Sequence, residues 1–175
     1  MKMSIREAIN QTLHQEMARD ERVIVMGEDV ASDQGGVYGI TDGLPAKFGL
    51  HRVIDTPITE SAIVGAAGGA ALTGLRPVAE LMFVDFLGVC LDQILNQIAK
   101  FRYMFGGKSR CPAVIRFSAG GGFSAAGQHS QAMYQVMTSF PGLKVVVPSN
   151  AYDAKGLMLS AIQDDDPVQI GRAHV

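Results

Sequence analysis

Charge is scarce in this chain. Lysine and arginine number 15, aspartate and glutamate 17, which is 18% of 175 residues and a net charge of −2. A typical globular chain carries about 25%. No basic cluster stands out, so there is no electrostatic footprint for nucleic acid. Long apolar runs are missing as well. Residues 61–75 carry no charge, but they hold four glycines and fall short of the ~20 residues a spanning helix needs. The uncharged stretch 117–143 is full of glycine, serine and glutamine, so it is no span either. The sequence opens without an apolar signal core. Cysteine is limited to Cys90 and Cys111, at no metal-ligand spacing. Two thiols without a signal peptide read as cytoplasmic. No P-loop and no G-x-S-x-G pattern occurs, which excludes those routes to phosphate binding and serine hydrolysis.

Glycine is what the chain has in excess: 20 residues, about 11%, against a usual ~7%. Few charges and many small residues suggest surface buried against a partner. They also suit a parallel sheet covered on both faces, whose strands carry few charges. At 175 residues the length fits one domain of ~100–200 residues.

The pattern alternates between helix and strand. Ser4 and Glu7 form a capping box, and Ile5, Ile9, Leu13 and Met17 follow at helical spacing. Strands are expected over residues 22–26, 53–54, 77–83, 113–117 and 143–147. Residues 31–52 read as a loop with at most a short helix. Helices are expected from Thr59 or Ser61, over 85–103, over 128–139, and from an Asn150 cap to about Gln163. The helix over 85–103 rests on Leu87, Leu91, Ile94, Leu95 and Ile98 along one face. This order implies an α/β fold, a mostly parallel sheet with helices on both faces.

Four residues follow strand ends, where parallel sheets bind ligands. Glu60 lies at the start of a small-residue helix, in Asp55-Thr56-Pro57-Ile58-Thr59-Glu60. It reads as a partly desolvated functional carboxylate, or as an acid favoured there by the helix dipole alone. His129 follows a strand and a glycine-rich loop. It suits proton transfer, and equally a solvated histidine at a helix start. Phe86 opens the long helical stretch, where aromatics usually belong to the core. Glu28 follows the first strand. The glycines at 65, 68, 69 and 74 have the wrong spacing for a dinucleotide loop and read as close helix packing.

Together, Gly27-Glu28-Asp29-Val30, Asp55 to Glu60, Gly74-Leu75-Arg76-Pro77 and Gln128-His129-Ser130-Gln131 resemble the beta subunit of thiamine-diphosphate-dependent 2-oxo acid dehydrogenases. The runs 80–86 and 100–107 are most similar to the acetoin dehydrogenase branch, with pyruvate or branched-chain 2-oxo acid dehydrogenase beta subunits as the alternative. A non-catalytic Rossmann-type binding domain is the reading of a different class.

The resemblance implies a Rossmann-like, transketolase-like domain over residues 1–168 that binds the aminopyrimidine ring of thiamine diphosphate. It makes Glu60 the group that hydrogen-bonds the ring nitrogen. It stacks Phe86 on the ring, lines the pocket with Ile58 and Met82, sets Glu28 close by, and turns His129 to the substrate. An alpha subunit would hold the diphosphate and Mg²⁺ in an α2β2 heterotetramer. A dihydrolipoamide acyltransferase component would take the two-carbon unit. The resemblance also implies a K⁺ site around Ala113, Ala161, Ile162, Asp164 and Asp166. The family continues past Val168 into a C-terminal domain. Here residues 169–175 depart from it, and the six from Ile170 match the translation of a common sequencing adapter. We therefore expect a non-native tail, a missing second domain and no activity from the chain alone. Arg172 and His174 are given no function.

Overall fold

The computed structural model of the chain describes residues 3–122 and 124–173. Six strands form one parallel sheet: β1 (Val23–Gly27), β2 (Val53–Asp55), β3 (Arg76–Phe83), β4 (Val114–Ala119), β5 (Lys144–Val146) and β6 (Val168–Ala173). Their order is β2-β1-β3-β4-β6-β5. The expected α/β sheet is therefore present, and it is all parallel.

Helices cover both faces. On one side lie α1 (Ile5–Arg19) and α6 (Ala151–Gln163). Ser4 and Glu7 close the expected capping box, and the Asn150 side chain accepts from the Asp153 N–H at the head of α6. Leu13 and Met17 pack with Val23, Val25, Val78, Val114 and Met158. Burying a side chain of this size stabilises the fold by ~1.5–3 kcal/mol. On the other side lies α3 (Glu60–Leu72), whose Ile63, Val64 and Ala67 meet Ala79, Leu81, Ile115 and Phe117. Adjacent strand residues such as Val78 and Ala79 thus serve opposite layers, as the two-residue period of a strand requires. Residues 31–52 are a loop with one short helix, α2 (Leu44–Phe48).

Two helices depart from expectation. Residues 85–103 do not form one α-helix. A 3₁₀ segment spans Val84–Cys90, a π segment spans Gln93–Ile98, and α4 covers only Phe101–Met104. The apolar stripe still faces inward, with Leu87, Ile94 and Ile98 buried. The change of winding lets it pack on α3, where a Cβ on Gly68 would lie 2.9 Å from Ile98 Cγ1. Close packing is thus what that glycine serves. The second departure is at 128–139, where only α5 (Tyr134–Thr138) is helical. The Gln131 carbonyl accepts from the Gly120 N–H at 2.7 Å, and the Gln131 N–H donates to Asp85. Both groups are therefore lost to a helix.

Residues 168–173, mostly within the stretch expected to leave the domain, fill a slot between β4 and β5. Strand pairing uses backbone N–H and C=O groups that any non-proline sequence supplies. The strand therefore reports on the slot rather than on where the residues come from. His174 lies outside the described residues.

Candidate functional site

A parallel sheet delivers every strand end to the same edge. Glu28 follows β1, Glu60 follows β2, Phe86 follows β3, and His129 follows β4. These are the four neighbouring strands β2-β1-β3-β4. The chain steps from β1 outward to β2 and then back past β1 to β3, so the edge contains the point where strand order reverses. That is the usual ligand position in such sheets.

The acids come first. Glu60 is the first residue of α3, and Thr59 before it makes no side-chain cap. Glu60 as a whole is only 7% exposed. No described residue donates a side-chain hydrogen bond to it. Glu28 is buried in the turn after β1. Its carboxyl is pushed above the usual range by burial first, then by the negative charge of Glu60, then by Asp29. A nearby cation would act in the opposite direction. The same edge holds a third buried acid, Glu80, and this one is neutralised: Arg116 Nη1 lies 2.7 Å from Glu80 Oε2. Cys90 also sits near Glu60. Burial, then that charge, pushes its thiol up to about 12. Cys111 is raised by burial to about 12 as well. Both cysteines are thus protonated and unreactive at neutral pH.

The rings come next. His129 packs edge-on against Phe83, centroids 4.8 Å apart, and against Phe86 at 5.5 Å. Phe83 and Phe86 meet edge to face at 6.1 Å, and Tyr38 meets Phe83 from the loop after β1. His129 is thus fixed by aromatic neighbours. Phe86 is half-buried. Pairing between β3 and β4 slips at residues 81–83, which places Met82 in a bulge. Bulges re-aim side chains beside functional sites. Ile58 is 83% exposed on the loop before α3, so no pocket within this chain encloses it.

Asp85, Phe83 and Cys90 belong to this edge and were not singled out from the sequence. Asp85 stood one residue from Phe86, directly after a predicted strand, and that position was the available signal. Two clefts, of about 630 and 880 Å³, lie elsewhere. Neither is lined by Glu28, Glu60, Phe86 or His129.

The residues suggested for K⁺ do gather, at the opposite end of the sheet. The Val168 N–H donates to the Ala113 carbonyl and the Asp164 N–H to that of Ala161. The Ile162 and Asp164 carbonyls accept from the Arg76 guanidinium at 2.8 and 2.7 Å. The Asp164 and Asp166 carboxylates face Lys144 and Arg102. Positive charge there comes from the chain itself. Among the described residues no cluster of three His, Cys, Asp or Glu side chains could hold a metal ion, and no helix is long and apolar enough to cross a membrane.

Residues 1–171 match the family described as "Transketolase, pyrimidine binding domain". The chain is 55% identical to the acetoin:2,6-dichlorophenolindophenol oxidoreductase subunit beta of Bacillus subtilis, over 95% of this chain and 52% of that protein. It is 49% identical to the pyruvate dehydrogenase E1 component subunit beta of Rickettsia bellii, over 96% of this chain and 51% of that one. It thus spans about half the length of these curated relatives. A split-gene transketolase, solved as an inactive β4 tetramer, shares the fold with a TM-score of 0.76 at 24% identity, over 99% of this chain and 52% of that one. With the parallel sheet and the strand-end site, these matches show that the chain belongs to the transketolase pyrimidine-binding domain family.

Proposed function

We propose that this chain is the pyrimidine-binding half of the beta subunit of a thiamine-diphosphate-dependent dehydrogenase that cleaves acetoin and passes the two-carbon unit to lipoamide. A single observation carries the reading: Glu60 is a buried carboxylate with no side-chain donor from the described residues, beside a second unpaired acid, Glu28. A carboxylate held in a largely buried position without a donor is completed when a ligand supplies one. A nitrogen heterocycle with a ring nitrogen able to share a proton would do so. The half-buried Phe86 ring fits the flat face of the same heterocycle.

Thiamine diphosphate, when bound, supplies an acidic thiazolium carbon and an electron sink. The chain does the rest. Glu60 would share a proton through its carboxyl oxygens with the pyrimidine ring nitrogen, which favours the imino form of the exocyclic amine, the form able to accept a proton. Phe86 and Met82 orient the ring, and Ile58 shields it once a partner covers that loop. Glu28 keeps a second acid close for proton balance. His129, braced by Phe83 and Phe86, moves protons or steadies oxygen on the substrate side.

An alpha subunit closes the site. The exposed face of α3 supports this. Ala62, Gly65, Ala66 and Gly69 are all exposed, and a Cβ on Gly69 would meet nothing within 4 Å. Glycine inside an exposed helix costs about 1 kcal/mol relative to alanine, and a partner backbone packed against it would offset that. The chain alone is then inactive. Pyruvate remains the second substrate reading, favoured by the 49% identity to a pyruvate dehydrogenase subunit.

The test uses the full-length subunit assembled with its alpha partner. Glu60→Gln should lower turnover by about 10²–10⁴-fold on whichever of acetoin and pyruvate the parent enzyme uses, with assembly unchanged. Near-normal turnover would overturn the role.

A further inference from the structure

The segment 118–131 carries His129 but contains little regular structure. Gly120 and Gly122 have positive φ, and so do Ser124 (64°) and Ala126 (61°). Left-handed backbone at non-glycine residues is strained and persists only where the surroundings hold it. Two ties close the described part of this loop, and both are made by one residue. The Gln131 carbonyl accepts from Gly120 N–H at 2.7 Å, which closes the neck. The Gln131 N–H donates to Asp85 Oδ1 at 3.2 Å, which fastens the neck to the end of β3.

We propose that Asp85 is the positioning residue for His129: its carboxylate pins the 118–131 loop to the 3₁₀ segment that follows β3 and carries Phe86, directly after Phe83 at the strand end. The bond from Gln131 is the one hydrogen bond the Asp85 side chain makes among the described residues. Its other oxygen, Oδ2, is buried without a partner. The tie therefore has no competing partner among the described residues. Without it, His129 keeps its edge contacts with Phe83 and Phe86 but loses the anchor two residues away. Phe83 ends β3 and Asp85 and Phe86 follow within three residues in the 3₁₀ segment, so this one stretch of chain supplies both the ring contacts to His129 and the tie to its loop.

The proposal rests on the reading of His129 given above, and the experiment separates the two. In the full-length subunit assembled with its alpha partner, amide hydrogen exchange of residues 120–131 is measured for Asp85→Ala and Asp85→Asn. Asp85→Ala should speed exchange of the Gln131 and Gly120 amides at least about tenfold. Asp85→Asn, whose amide oxygen accepts the same N–H, should leave it near the parent rate. Gln131→Pro removes the donor instead of the acceptor and should loosen the Gly120 amide as Asp85→Ala does, which keeps the test available if Asp85→Ala fails to fold. Unchanged exchange in both disrupting variants overturns the proposal.

Kinetics give the second arm. Asp85→Ala should lower kcat more than it raises the KM for thiamine diphosphate, with recovery in Asp85→Asn. The double variant with His129→Ala should be no slower than His129→Ala alone, because residues acting through one another are not additive. Fully multiplicative losses would overturn the coupling. If His129→Ala alone leaves turnover unchanged, the function assigned to His129 fails, and the exchange arm still decides whether Asp85 holds the loop.

Discussion

At the amino ends of the strands, Asp20, Asp164, Asp165 and Asp166 each face a base. Arg22 holds Asp20 just before β1. Arg76 and Arg110 hold Asp165, Lys144 holds Asp164, and Arg102 holds Asp166. At the carboxyl ends of the same strands, Glu28 and Glu60 lie buried near one another with no such base. Among the described residues Glu80 is the buried acid paired there, with Arg116. The chain thus gives its half-buried acids bases at one edge and leaves two buried acids without a base at the other. A stability rule alone would pair Glu28 and Glu60 or replace them. On the proposed function, a ligand and not the fold completes the charge at this edge.

The contrast predicts opposite responses to substitution. The largest effect belongs to Arg76→Ala. Arg76 is buried and bonds the Ile162 and Asp164 carbonyls and the Asp165 carboxylate. Its removal leaves these acceptors unsatisfied and should cost about 3 kcal/mol, read as a drop in the urea midpoint at neutral pH. Glu60→Gln, an equally buried polar change at the other edge, should move the midpoint by less than about 0.5 kcal/mol. Equal losses from the two variants would break the comparison.

Asp20→Asn is the next step down. The hydrogen bond to the Arg22 side chain is the chief reason that the Asp20 carboxyl is lowered from 3.8 to about 2. An acid with a depressed pKa contributes stability above its ordinary value and loses it as pH falls through the folded value. The variant should therefore be less stable above about pH 4, by about 1 kcal/mol after allowing for the exposed Arg22, and indistinguishable from the parent near pH 2. Thermal unfolding across pH 2–7 checks this. A loss that is constant with pH would mean Asp20 acts as a packing residue.

Not all of this contrast could be read from the sequence. The parallel sheet, the capping box, the Asn150 cap and the position of Glu60 could be, because each rests on local spacing and on one topological rule. The winding of residues 84–104 could not, since an apolar stripe at helical spacing is compatible with α, 3₁₀ and π turns alike, and packing on Gly68 selects among them. The missing helix turns at 128–133 depend on Asp85, which is 46 residues from Gln131. No window of local periodicity contains both partners. Likewise Arg76 reaches Ile162 across 86 residues, so the paired edge is a product of the fold. The unpaired edge was more legible because it is made of residues one step past each strand.

A small effect, at Glu28, tests the unpaired edge most directly. Glu28 has its carboxyl raised by burial, then by Glu60, then by Asp29. A raised acid binds its proton more tightly in the folded chain than in the unfolded one. Its stabilising contribution is therefore complete below its ordinary value of 4.5 and is lost as pH rises through the folded value. At neutral pH Glu28 is therefore a burden on the fold. Glu28→Gln keeps the shape, removes the charge, and should stabilise the chain at pH 7 by about 0.5 kcal/mol while flattening its stability profile above pH 4.5. The direction separates the two edges, because neutralising Asp20 destabilises at that pH and neutralising Glu28 stabilises. If Glu28→Gln destabilises instead, a donor satisfies that carboxylate in solution, and the edge is paired after all.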